Sequence, residues 1–186
     1  GMLKPKDFEE HVFENYDLRE IFSFINKQTL YCTHLGLKGS YDELVKNNDG
    51  KVLKLTEQVE EIKEFIIKNN IMNPKAIYRF FECNSDKNDI LVYENSKISE
   101  KLEFQRQDGK ESLCAADFIS HIGKGKDTIG FFVASCGSGI VEKSGELREK
   151  GEYLKSHLIQ VIAIESAEAF AAIIYGKMKR DLGIGN

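Results

Sequence analysis

Two carboxylates interrupt what otherwise reads as the apolar face of a helix, and they are the first residues that could do chemistry. Positions 154, 158, 161, 165, 168, 172 and 175 step by four and three, so they share one helical face. That face reads Leu154, Leu158, Val161, Glu165, Glu168, Ala172 and Tyr175. The neighbours Ala163, Ser166, Ala167, Ala169 and Ala171 are small, which lets another backbone or a ligand approach closely. A carboxylate in such surroundings must find a donor or a cation, because burying it unpaired costs several kcal/mol or shifts its pKa. Periodicity alone favours the simpler reading: Glu165 and Glu168 edge the packed face and pair with a lysine or water. The sharper reading is that they meet a cationic ligand.

Asp17 is a second candidate. It stands between Tyr16 and Leu18 where the apolar phase shifts. It can cap the helix that follows, which is the commoner role, or present its carboxylate to a ligand. The run from Phe81 to Ile90 is dense in turn-forming side chains and reads on its own as a hairpin loop. Arg106 and Asp117 are candidates for an ion pair. Gly137-Ser138-Gly139 after a strand invites a phosphate-loop reading, but neither GxGxxG nor GxxxxGK[ST] is present. There is no GxSxG, no HExxH and no adjacent Cys/His pattern to announce a nucleophile and its base. Cys32, Cys83, Cys114 and Cys136 are widely spaced, with no CxxC pair, and read as reduced, mostly buried thiols rather than metal ligands.

Helical spacing predicts a helix over 7–26 with a break near Asp17, and a second from about Thr56, as N-cap, to Asn69, burying Val59, Ile62, Phe65 and Ile66. Residues 29–37 read as strand or helix, and 47–50 as a loop. Residues 76–83 and 89–93 form a hairpin around 84–88. The stretch from Lys101 to Gln107 alternates like a strand, and the apolar run 128–136 suits a central, fully buried strand. One long helix, roughly Leu147 to Leu182, opens near Ser144 and closes at Gly183. Helices, then strands, then a helix favour an antiparallel α+β fold over a doubly wound one.

The 186 residues fit a single domain, 1–186, with Gly1 ahead of Met2 read as a cloning remnant. The formal net charge of -4, with no basic stripe, gives no reason to expect nucleic acid. No run of about 18 apolar residues suggests a membrane span. The stretch Met2 to Glu10 is polar and charged, unlike a signal peptide, so the expected setting is the cytoplasm.

Several segments, in order, resemble the activation domain of cobalamin-dependent methionine synthase. The hairpin from Arg79 to Tyr93, Phe104-Gln105-Arg106-Gln107, Leu113-Cys114-Ala115-Ala116-Asp117-Phe118, the strand from Asp127 to Val133, Glu165 to Ala171 and Arg180 to Ile184 carry the likeness. The leucine–cysteine–x–alanine–aspartate–phenylalanine run is the most specific of them. The resemblance implies a twisted antiparallel sheet with flanking helices and one long C-terminal helix. It implies binding of S-adenosylmethionine, docking on a cobalamin-binding domain or subunit, and reductive methylation of cob(II)alamin with an electron from a flavodoxin-type protein. The module alone is not expected to make methionine. The family's ligand-binding acids map onto Glu168 and Asp17, whose charge complements the ligand's ammonium and sulfonium. The tryptophan found beside the family's N-terminal aspartate is Leu18 here. The family's site is completed by a downstream segment with an arginine and a glycine–tyrosine–proline–alanine–cysteine-like run, and the sequence stops at Asn186 before any such segment. The alternative expectation is therefore a shorter stand-alone relative that docks on a cobalamin protein without binding S-adenosylmethionine.

Overall fold

The computed structural model describes residues 3–137 and 139–184. Gly1, and Ser138 of the Gly137-Ser138-Gly139 run, lie outside the described residues, so neither the cloning-remnant nor the phosphate-loop reading has a structural counterpart. The chain divides into two compact units. One comprises Gly1–His11, Ile77–Phe132 and Gly176–Asn186, the other Val12–Ala76 and Val133–Tyr175.

Strands β1 (His11–Glu14), β2 (Lys75–Asp86), β3 (Asp89–Glu94), β4 (Lys97–Glu103) and β5 (Asp127–Ser135) form one sheet. Its order is β1-β2-β3-β4, with β5 also on β2. β2 and β3 are antiparallel, in register from Glu82 opposite Tyr93 to Asp86 opposite Asp89. That leaves Lys87 and Asn88 as a two-residue turn, with Lys87 in the left-handed region at φ 58°. The hairpin is the one the sequence predicts, but β2 runs on through 84–86. β4 pairs antiparallel with β3, starts four residues earlier than expected and ends before Phe104. The α+β class, the antiparallel sheet and the long C-terminal helix are all present.

In the first unit, Cys83, Ile90, Cys114 and Ala116 form a buried cluster, with Leu102, Ile119 and Ile129 packed against it. Gly130 of β5 faces Phe80 and Met178, and an added Cβ would lie 2.5 Å from the Met178 methyl. In the second unit the buried side chains come from α1 (Leu18–Ser23), a π-helix (Gln28–His34), α3 (Gly50–Lys68) and α5 (Tyr153–Asp181). The shorter α2 (Tyr41–Lys46) buries Tyr41, whose ring stacks on Tyr31.

Several boundaries differ from the sequence reading. The predicted helix over 7–26 is β1 followed by α1. Residues 11–14 alternate in burial with a period of two, and Asn15, at φ 52°, turns the chain between the elements. Three apolar residues four apart were too few to distinguish that alternation from a helix. α3 starts at Gly50, because the Asp49 side chain accepts hydrogen bonds from the Lys51 and Val52 amides at 2.8 and 3.3 Å; Thr56 lies inside it. The expected helix from Leu147 is two helices. α4 (Gly139–Glu149) contains Ser144, and Gly151, at φ 78°, breaks the chain before α5. β5 is neither central nor fully buried: Phe131, Phe132 and Val133 are exposed. An apolar run marks a strand, but its place in the sheet decides its burial.

Candidate functional site

The two acids of α5 part company. Glu165 is buried, at 5% exposure, whereas Glu168 is exposed. At 100° per residue they point about 60° apart, enough to put one in the core and the other at the solvent boundary. The face expected to be continuous repeats every 3.5 residues, and a straight helix drifts about 20° per heptad against that repeat. Leu158 and Val161 therefore stay buried with Glu165, while Glu168, Ala172 and Tyr175 rotate outward. The expectation that both acids lie within one packed stripe is corrected for Glu168.

Glu165 is held by His34, whose Nε2 lies 2.8 Å from its Oε1. His34 ends the π-helix, so the pair ties that helix to α5. Periodicity predicts a lysine or water partner; the partner is a histidine 131 positions away. No local pattern around either residue announces it. Glu168 makes no hydrogen bond or ion pair among the described residues. On the same helix, Ile164, one turn before it, is 54% exposed, and Tyr175, two turns after it, is 57% exposed.

Asp17 caps α1, as the simpler reading has it, by accepting a hydrogen bond from the Arg19 amide at 2.9 Å. It also lines an open cleft of about 400 Å³, with Asn15, Tyr16, Arg19, Asn70 and Asn73. Arg19 spans from this cleft to α3 through two hydrogen bonds to Glu64, 2.6 and 3.0 Å long. That guanidinium holds the Glu64 carboxyl below the usual range. The Tyr16 ring lies 5.0 Å from that of Phe170, centroid to centroid. The residue before Asp17 thus touches the α5 turn that carries Glu168. The cleft's asparagines carry no sequence signal that distinguishes them from ordinary loop residues.

Arg106 and Asp117 form the suspected ion pair, with guanidinium nitrogens 2.9 and 2.7 Å from the two carboxylate oxygens. Asp117 also accepts from the Cys114 amide at 2.9 Å. Hydrogen bonding from Arg106, then from Cys114, holds its carboxyl below the ordinary value. All four cysteines are free thiols. Burial pushes Cys83 up to about 12 and Cys136 to about 11, so neither is built as a thiolate nucleophile. Among the described residues, no group of three or more His, Cys, Asp or Glu is placed to hold a metal ion.

Residues 17–183 match the family of the vitamin B12 dependent methionine synthase, activation domain. The chain belongs to that family. The activation-domain fold is also that of a solved structure, the MetH reactivation domain bound to AdoHcy, with a TM-score of 0.84 and 16% identity. The match covers 96% of this chain and 57% of that one, so the chain spans little more than half of the structure it resembles. Within this activation-domain fold, α5 is long and apolar enough by length and composition to cross a membrane, at a mean hydropathy of 1.6 over 18 residues. However, 56% of that window is buried inside the fold, and Glu165 is buried in α5, so α5 serves as a core helix.

Proposed function

We propose that this activation domain binds S-adenosylmethionine and supports reductive reactivation of a cobalamin held by a partner domain or subunit. The observation that carries the reading is family membership over 17–183 together with the fold of an AdoHcy-bound reactivation domain. AdoHcy is what S-adenosylmethionine becomes on losing its methyl group. The partner's cobalamin, once reduced by one electron from a flavodoxin-type donor, would supply the methyl acceptor, and AdoHcy would be the product left on this chain. This chain's part is to hold and orient the methyl donor. Asp17 offers a carboxylate at the cleft wall, and Glu168 offers one on α5. Both are exposed carboxylates, open to a ligand that carries an ammonium and a sulfonium. The setting for this work is the cytoplasm.

Equilibrium dialysis with labelled S-adenosylmethionine tests the reading. Saturable, one-to-one retention is the expected result, and no retention by folded protein contradicts it. A second reading draws on Glu168 taking no part in lining the Asp17 cleft. In it, the chain docks on a cobalamin protein without carrying the methyl donor. It predicts co-elution with a cobalamin-binding domain whether or not S-adenosylmethionine is present. Co-elution only in its presence excludes it.

A further inference from the structure

Among the described residues that line the Asp17 cleft, Arg19 is the one cation and Asp17 the one anion. The Arg19 amide bonds one oxygen of the Asp17 carboxylate at 2.9 Å, and the other oxygen has no hydrogen bond among the described residues. The Arg19 guanidinium is likewise engaged on one side only. Two of its N–H groups meet the Glu64 carboxylate, at 2.6 and 3.0 Å, and the rest of the fork, Nε–H included, has no hydrogen-bond partner among the described residues. The side chains of this pair are 62% and 59% exposed. Water screens such a pair, and the guanidinium keeps an open edge with which to bridge a second carboxylate.

The rest of the cleft is neutral. The side-chain amides of Asn70 and Asn73 line it and make no hydrogen bond among the described residues. Each amide offers donors and an acceptor, so it suits either end of a dipolar group. A lone carboxylate entering this cleft meets Asp17, and a lone ammonium meets Arg19. A group with both charges a few bonds apart can satisfy both residues at once. The free end of an α-amino acid is such a group, and S-adenosylmethionine carries one.

We infer that Arg19 receives the carboxylate of S-adenosylmethionine while Asp17 receives its ammonium, so that the cleft selects the amino-acid form of the ligand. This rests on S-adenosylmethionine being the ligand. The test titrates the full chain calorimetrically with S-adenosylmethionine and with its decarboxylated analogue, which keeps the adenosine, sulfonium and ammonium. The analogue has one more net positive charge, so a chain of formal net charge -4 that attracted ligands by overall charge would favour it. Wild type should instead prefer S-adenosylmethionine by about tenfold. Arg19→Gln should bind S-adenosylmethionine about tenfold more weakly and the analogue no worse, because damage to the fold would weaken both. Arg19→Lys keeps the charge and should retain part of the preference. No preference in wild type, full preference in Arg19→Gln, none in Arg19→Lys, or equal weakening of both ligands overturns the assignment of Arg19 while S-adenosylmethionine binding itself stands. Failure of folded wild type to bind either ligand overturns the assignment together with the S-adenosylmethionine reading.

Discussion

His34 and Glu165 give the clearest case of one side chain determining what another costs. Glu165 is in the core because helix geometry puts it there, and the His34 ring supplies its hydrogen bond. Removing that ring leaves a buried carboxylate without its donor. His34→Ala should therefore lower unfolding stability by about 2–3 kcal/mol in urea titrations, whereas Glu165→Gln, which keeps an acceptor, should cost less. Asp117 makes a pH-dependent prediction. Its carboxyl is held below its ordinary value, so its stabilising contribution is complete above the unfolded-state pKa and disappears as pH falls through the folded one. The difference in urea midpoint between wild type and Asp117→Asn should be largest at neutral pH and should vanish in acid. A difference that grows in acid would contradict the Arg106 explanation.

Helices and strands were legible in the sequence where turn chemistry fixed them. The β2–β3 hairpin, the stop of α5 near Gly183 and the break at Asp17 were all visible. The α4–α5 break at Gly151 was not, because a lone glycine inside a helical pattern is usually tolerated. The N-cap of α3 was missed for a different reason. Asp49 follows Asn47 and Asn48, and together they read as a loop, although one aspartate there is enough to start a helix. On α5 the sequence singled out two acids but could not divide them, because a 3.5-residue count and a 3.6-residue helix diverge over three heptads. Close approaches were equally hidden. At Gly137, with φ 98°, an added Cβ would lie 2.7 Å from the Asn73 amide nitrogen. Gly137→Ala should cost about 2–4 kcal/mol, since backbone cannot yield and the φ is strained. Gly130→Ala should cost less, about 1–3 kcal/mol, because the Met178 and Phe80 side chains it meets can shift. Thermal unfolding of the two variants in parallel checks the order.

For the whole molecule, the ordered resemblances carried the family assignment further than any single motif. The LCAADF run is a structural lock: its aspartate caps the turn and receives Arg106. Both acids that the resemblance points to have defined settings. Asp17 is a helix cap on a cleft wall, and Glu168 is a solvent-facing carboxylate on α5. Asn can replace Asp as a cap, so Asp17→Asn separates the two roles: stability should hold while affinity for a cationic ligand falls. Glu168 is the sharper test, because it holds nothing else in place. Calorimetric titration of S-adenosylmethionine into wild type and Glu168→Ala is the measurement that decides. A saturable isotherm for the wild-type protein, weakened about tenfold in the variant, is the predicted result. A flat wild-type isotherm, or the same affinity in both proteins, would contradict the proposal that a carboxylate on the outer face of α5 receives the positively charged methyl donor.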